Sequence, residues 1–470
     1  MSMALDVSRR TRQLAGATID LRRIAPTDVT RLIEILLTLA RHGVLTVARR
    51  GPYLVMQPRD RAPRAMAVAL RHSFAHLGPA FVKLGQLIAS SPGLFPDVFS
   101  QEFRRLLDHV PPEPTHKVKA IIRKELGKPV EELFASFGDE PIAAASIAQV
   151  HEAWLHDGSH VAVKIRRPNL SGRVERDLRL MRYLAGIIER SGTIGELANP
   201  VAIVEDFGVA LRSELDFHNE AASAVEFEAN LRSFGENDRI VVPAPVEGMV
   251  AKRVMVMNFI EGISVDNAER LVADDHDLEE LLQLGIRSWM EAALIHGFFH
   301  GDVHAGNLFI TPDSKVVYLD FGIMGRLEEQ PRAALLTALP AVLVDRNYTQ
   351  AVQAMFSLGA TTTPVDIAAA ADDVRDLVEP LLDKPLGQIS YAEIFSQVLR
   401  VATRHHVRLP REMVLVVKQL LYFERYSKEL APDYQILGDR RILQYLLAGA
   451  HAPEEADSGA TPDASSEEER

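Results

Sequence analysis

The residues best equipped for chemistry lie between positions 300 and 322. His300-Gly301-Asp302-Val303-His304-Ala305-Gly306-Asn307 sets a carboxylate and a carboxamide five residues apart, and Val317-Tyr318-Leu319-Asp320-Phe321-Gly322 brings a second carboxylate thirteen residues after Asn307. Phosphoryl transfer needs one carboxylate beside the attacking oxygen and hard oxygen ligands for magnesium beside the phosphates. Asp302 suits the first role, Asn307 and Asp320 the second, in an H-x-D-x-x-x-x-N loop followed by a D-F-G turn. Asp-Phe-Gly alone recurs by chance. Its conjunction with the loop, joined by the short apolar runs Leu308–Ile310 and Val316–Tyr318, is specific.

Upstream, Val161-Ala162-Val163-Lys164 reads as a strand whose lysine would meet the α- and β-phosphates of ATP. In isolation it is equally well a surface strand. Such a lysine needs an acid on a nearby helix, and Glu220 is the choice among the acidic residues of that region. A protein kinase carries G-x-G-x-x-G one strand before its lysine. Here that place holds Ala143-Ala144-Ala145-Ser146, whose Cβ atoms restrict backbone approach to phosphates while Ser146 offers a hydroxyl. His296, His300 and His304 have the i, i+4, i+8 spacing of a helical metal site, but Gly297, Gly301 and Gly306 break that helix. His300 is instead expected to orient the loop, with His304 near the nucleotide.

From about Leu77 to Gly325 these residues resemble the UbiB (AarF-domain) family of atypical kinases. The resemblance is carried by the Ala-rich loop 143–146, by K-x-G-Q at Lys83-Leu84-Gly85-Gln86, by E-x-D at Glu214 and Asp216, and by Glu220. It implies a protein-kinase-like fold in which the K-x-G-Q helices cover the site where a peptide would lie, with Lys83 reaching Glu214 and Asp216. Lys83, Gln86, Glu214 and Asp216 would then be regulatory. Ala143, Ala144, Ala145, Ser146, Lys164, Met257, Phe259 and Ile260 would bind ATP or ADP, with Mg²⁺ on Asn307 and Asp320. It further implies an ATPase or small-molecule phosphotransferase tied to isoprenoid quinone biosynthesis or lipid homeostasis, with quinone precursors or quinone-biosynthesis enzymes as partners. The chain departs from the family at Ala148, usually Gly, at Asn258, commonly Glu, and in its loop, which reads H-G-D-V-H-A-G-N where H-A-D-P-H-P-G-N is usual. The membrane spans that end some bacterial members are missing. Two other readings stay open: a phosphotransferase of the aminoglycoside/choline kinase type, and a pseudokinase scaffold that binds nucleotide without turnover.

The elements that must hold these residues follow from patterning. The 470 residues are 47% apolar and 25% charged, ordinary globular usage, and contain no cysteine, which excludes disulfides, thiolate metal sites and cysteine nucleophiles. A net charge of −12 argues against a nucleic-acid binder. The fold class expected is α+β, a two-lobed kinase-like arrangement with added N-terminal helices. The expected units are a basic helical region (1–75), the K-x-G-Q extension (76–135), a sheet-rich lobe (136–260), a helical lobe (261–447) and a disordered acidic tail (448–470). Helices are expected at 28–50, capped by Asp28, at 117–134, 173–190, 201–231 and 278–296, and throughout 327–447; strands at 160–165, 240–242, 254–259, 308–310 and 316–318.

The first 75 residues hold 13 arginines against 5 acids, a balance of +8. Leu32, Ile35, Leu36, Leu39 and Val47 recur there at helical spacing, which suits a helix docked on the protein or a basic amphipathic helix on an anionic membrane surface. No signal peptide and no apolar run of spanning length is visible, so a cytoplasmic, at most peripherally membrane-associated chain is expected.

Overall fold

Proline opens the first three helices, each at the position where its missing N–H costs nothing: α1 (Pro26–Met56), α2 (Pro58–Leu77) and α3 (Pro79–Ala89). They are followed by α4 (Asp97–Phe103), α5 (Thr115–Leu126) and α6 (Val130–Leu133). The computed structural model describes residues 26–434 except 57, 90–96, 104, 107–110, 191–199, 235–236, 358–365, 383–390 and 406–410. The acidic tail and the first 25 residues lie outside the described residues.

Strands β1 (Ser136–Phe137), β2 (Ala143–Ala144), β3 (Ala148–Trp154) and β4 (His160–Arg166) lead into helices α7 (Leu170–Arg190), α8 (Pro200–Glu214) and α9 (Phe217–Ser233). After β5 (Ile240–Val241) come β6 (Pro245–Ala251), β7 (Val254–Asn258) and β8 (Ile263–Ser264). The first sheet runs β1-β3-β4-β7-β6 with β2 paired to β3. Its two faces separate by strict alternation. Val161, Val163 and Ile165 pack with Val254, Val256 and the α5 residues Val118 and Ile122. Ala162 and Lys164 point the other way, into the cleft, where Ala148 and Met255 meet Phe217 and Ala221 of α9.

The second lobe contains α10 (Ala268–Ala273), α11 (Leu278–Leu294), β9 (Phe298–His300), β10 (Leu308–Ile310), β11 (Val316–Tyr318) and β12 (Met324–Arg326). Its sheet, β5-β11-β10-β8, packs on α11, and β9 pairs with β12. Helices α12 (Glu329–Leu343), α13 (Tyr348–Phe356), α14 (Ile367–Val378), α15 (Tyr391–Arg404) and α16 (Arg411–Leu430) complete it.

Three expectations are corrected. Asp28 does not cap α1, which begins two residues earlier. Its buried carboxylate instead receives Arg179 at 2.9 and 3.0 Å. The helix expected over 117–134 is two, because Gly127 takes φ 77° and its N–H closes α5 on the Arg123 carbonyl before Pro129 restarts the chain. The helix expected over 201–231 is also two, parted at Leu215 and Asp216. Arg166 donates to the Leu215 carbonyl at that break. Strands β1, β2, β3, β6, β8, β9 and β12 were not foreseen, and the expected helical stretch is described only as far as Leu430.

The N-terminal helices are docked. Leu32 and Ile35 are buried with Leu77, Phe81, Phe103, Val174 and Leu178. Arg31 lies across that contact, its guanidinium on Asp177 at 2.7 and 3.0 Å with both side chains almost wholly enclosed. Among the described residues no helix is long and apolar enough to cross a membrane. Removing one partner of a buried ion pair strands the other in a low-dielectric site. Arg31→Ala should therefore cost on the order of 3 kcal/mol, whereas Arg179→Ala, which removes an exposed arginine and leaves Arg176 at 3.5 Å from the buried Asp28 carboxylate, should cost only about 1 kcal/mol. Thermal unfolding checks both; equal losses would remove the pair from its assigned place.

Candidate active site

Lys164 sits on the cleft face of β4, and its Nζ donates to Glu220 Oε1 at 2.6 Å and to Asp320 Oδ1 at 3.2 Å. Glu220 stands in the first turn of α9, whose start is set by Asp216: its carboxylate accepts the His218 N–H and its ring Nδ1–H. Asp216 therefore serves as a helix cap, while Glu214, at the end of α8, takes Lys83 of α3 at 3.0 Å. The reading in which Lys83 reaches both acids gives way to this division of labour. Gln86 lies half-buried one turn after Lys83 on α3, and Gly85 between them is obligatory in size, since a Cβ there would lie 2.6 Å from Leu106 and 2.7 Å from Phe103.

The catalytic-loop candidate follows β9. His300 is fully buried; its Nε2–H donates to the carbonyls of Leu319 and Asp320, both at 3.0 Å, while Nδ1 accepts the Asp302 N–H at 3.2 Å. That pattern requires the neutral ring with its proton on Nε2. Asn307 donates from Nδ2 to the Asp302 carbonyl at 3.0 Å, which leaves its Oδ1 as the ligand atom. Asn307 and Asp320 come together because β10 and β11 are antiparallel with Leu308 opposite Tyr318, and the Leu319 N–H donates to the Asn307 carbonyl. Asp320 itself has φ 59°, a left-handed conformation costly for a residue with a Cβ and typical of functional turns. His304 lies 3.8 Å from Asp302 through Nε2, and His296 turns away to Glu291 at 3.5 Å.

Around the nucleotide candidates the picture is mixed. Ala143 and Ala144 form the short strand β2 against Val150 and Gln149 of β3, the Ala145 N–H closes the turn on the Ala148 carbonyl at 2.8 Å, and Arg167 holds the Ala145 carbonyl at 2.9 Å and the Pro111 carbonyl at 2.9 Å. Ser146 is wholly enclosed and its Oγ has no hydrogen-bond partner. Met257 lies opposite Ala162 on the Lys164 face. Phe259 stacks on His160 with ring centroids 4.0 Å apart, and His160 on Trp154 at 4.4 Å, while Ile260 follows half-buried. Reading from sequence missed Val150 and Ala162, which share the Lys164 face by register, and Arg167, which braces the Ala-rich loop. The signal for the first two was the period of two along β3 and β4; Arg167 carried none.

Electrostatics sharpen the arrangement. Burial works against the Asp320 carboxylate, but Lys164 and Lys83 outweigh it and hold the group far below the ordinary carboxylate range. Burial likewise opposes charge on Lys164, and Asp320 with Glu220 more than restore it, so the ammonium persists. Burial pushes Glu220 up to about 7 against the pull of Lys164, and raises Glu214 in the same way, helped by the nearby Asp320 and Asp302. When all are ionised, Glu214, Glu220, Asp302 and Asp320 face Lys83 and Lys164, two negative charges in excess. A divalent cation fits that deficit. No three histidine or acidic side chains converge on one point among the described residues. Magnesium, which takes one or two protein oxygens and completes its shell with phosphate and water, needs no such cage.

A strand lysine paired to a helix glutamate, an H-x-D loop and a D-F-G turn between two lobes define the protein-kinase-like fold. Residues 105–355 match the ABC1 atypical kinase-like domain and residues 374–435 the UbiB helical domain. An uncharacterized protein of Mycobacterium tuberculosis (strain ATCC 25618 / H37Rv) is 41% identical over 376 residues, 80% of this chain and 77% of that protein. A probable protein kinase UbiB of Marinobacter nauticus is 33% identical, covering 78% of this chain and 67% of its own length. Among solved structures, the complex of Rv3197 with erythromycin, also from M. tuberculosis, superposes with a TM-score of 0.51 at 25% identity, covering 77% of this chain and 94% of that one. The chain belongs to the ABC1/UbiB family of atypical kinase-like proteins.

Burial lowers the His300 pKa below the ordinary histidine value of 6.5. As pH falls below that value the unfolded chain takes up the proton first, so this group's contribution to stability is present above pH 6.5 and is lost on acidification. His300→Gln, which retains a donor and an acceptor, should flatten the fall in Tm between neutral and mildly acidic pH. Parallel Tm-versus-pH curves for the two proteins would refute the buried neutral ring.

Proposed function

We propose that this protein is a UbiB-type phosphotransferase or ATPase that uses ATP with Mg²⁺ and supports isoprenoid quinone or lipid metabolism at a membrane surface rather than phosphorylating proteins. The observation that carries the reading is Lys164 held between Glu220 and Asp320, a complete set for gripping phosphates, with Asp302 and Asn307 beside it. A pure scaffold needs no such set. The family's preference for non-protein acceptors fits α3, whose Lys83 is drawn to Glu214 at the cleft.

In this mechanism Lys164, kept in place by Glu220, orients the α- and β-phosphates. Asp320 and Asn307 would hold magnesium, which would supply charge neutralisation to the phosphates. Asp302 aligns water or a substrate hydroxyl and takes up its proton as the new O–P bond forms. The bond from the γ-phosphorus to the bridging oxygen breaks, and ADP leaves with that electron pair. Positioning and fixed charge supply most of the acceleration.

Membrane association has its own support. The outer side of α1 exposes Ile33, Leu36, Leu37 and Val44 within the +8 region, opposite the face that buries Leu32 and Ile35. A helix with an exposed apolar row beside the exposed Arg41 suits insertion into an anionic lipid surface. Because α1 is part of the packed body, point changes on the outer face are the proper probe and deletion is not.

Two measurements follow. Magnesium-dependent ATP hydrolysis should fall at least about 100-fold in Asp320→Asn, and Ala144→Gly should alter the preference between ATP and ADP; hydrolysis undiminished in Asp320→Asn would end the assignment. Cosedimentation with liposomes containing anionic phospholipid should be lost in the doubly substituted Ile33→Asp, Leu37→Asp protein. Equal recovery of both proteins would leave α1 a structural helix only.

A further inference from the structure

Helix α16 lies more than a hundred residues beyond the Asp302 loop in sequence, yet it closes on that loop's main chain. Gln419, fully buried, donates from Nε2 to the Gly301 carbonyl at 2.7 Å, and its Oε1 accepts the Val303 N–H at 2.9 Å. Tyr426, also buried, donates its hydroxyl to the Val303 carbonyl at 2.8 Å. The remaining main-chain groups of the segment are met locally. The Gly301 N–H goes to Ile323, the Asp302 N–H to His300, and the Asp302 carbonyl to Asn307. One carboxamide thus spans the two peptide groups that flank Asp302, and half of the polar main-chain atoms of Gly301–Val303 are held by α16.

The same helix also reaches the loop through a second route. Phe423 packs edge-to-face on Trp289 of α11, centroids 5.6 Å apart, and Trp289 donates its indole N–H to the His300 carbonyl at 3.0 Å. The clamp also accounts for a departure noted in the sequence. Position 303 is usually proline in the family this chain resembles, and proline has no N–H to give. Val303 supplies the donor that the Gln419 oxygen uses.

We infer that Gln419 and Tyr426 are positioning residues for Asp302, through which the helical unit at residues 374–435 governs the geometry of the catalytic loop. The inference rests on the phosphoryl-transfer reading of Asp302. A displacement of α16, by a partner or a ligand on that unit, passes straight to the carboxylate that aligns the acceptor. Gln419 and Tyr426 bond to Gly301 and Val303 and to none of Lys164, Glu220 and Asp320, the last of which is tied to the loop through His300, so the clamp acts on turnover more than on nucleotide affinity.

The test uses the full-length protein with Gln419→Met and Tyr426→Phe. In steady-state ATP hydrolysis kcat should fall about 10- to 100-fold with KM for MgATP changed by no more than about 2-fold, the signature of a misplaced group that acts after binding. Hydrogen–deuterium exchange should show the peptide covering 298–308 opening about 10-fold faster, with the rest of the second lobe unchanged. Unaltered exchange in that peptide, or a loss confined to KM, overturns the inference. Should Gln419→Met fail to fold, Tyr426→Phe removes a single oxygen and carries the same comparison. Absence of ATP hydrolysis in the wild-type protein would count against the proposed activity alone, and exchange at 298–308 would still decide the clamp.

Discussion

One ammonium group ties the two lobes together. Lys164 leaves a central strand of the first sheet, and its two acidic partners come from a helix packed beneath that sheet and from a turn in the other lobe. Three charges taken from water are tolerable only when each is paired and hydrogen-bonded. The neighbouring architecture is arranged to that end. Phe217 and Ala221 anchor α9 against Ala148 and Met255, the break at Leu215 gives that helix its own direction, and buried His300 grips the carbonyl of Asp320 from behind.

A second lysine reproduces this pattern one helix away. Lys83 and Glu214 meet at the end of α8, and Lys164 and Glu220 meet in the first turn of α9, so the two pairs flank a single bend in the chain. The bend is stiff, for Asp216 caps one side and Arg166 holds the Leu215 carbonyl on the other. Asp320 bears on both pairs, since its charge contributes to the electrostatic surroundings of Glu214 and of Glu220 alike.

Much of the site could be read directly because its chemistry is local. Asp302, Asn307 and Asp320 fall within one hairpin, and Lys164 sits on a strand whose apolar alternation is plain. The parts that escaped reading depend on long-range geometry or on backbone conformation. The family resemblance made Asp216 a partner for Lys83, and the E-x-D spacing does not reveal that one helix ends at Glu214 and that Asp216 caps the next. Strand β6 hid behind Pro245 and Gly248, and its pairing with β7 shifts register between Pro245 and Val250. Gln419 was invisible, because a glutamine in an amphipathic helix looks like any polar surface residue until the loop it serves is seen beside it. Gly301 also finds its reason only in three dimensions: a Cβ there would approach the Ile323 carbonyl to 3.0 Å.

The Arg31–Asp177 pair joins positions 146 residues apart. At a synthesis rate of roughly 5–20 residues per second, α1 leaves the ribosome on the order of ten seconds or more before α7 exists to receive it. During that interval α2, α3 and α4 cover Leu32 and Ile35 only in part, because Val174 and Leu178 are not yet present, and the outer apolar row stands beside that half-covered face. The nascent chain thus passes through a period of maximal stickiness that the finished protein does not share. Whatever surface or chaperone meets the N-terminus first has that whole interval in which to claim it.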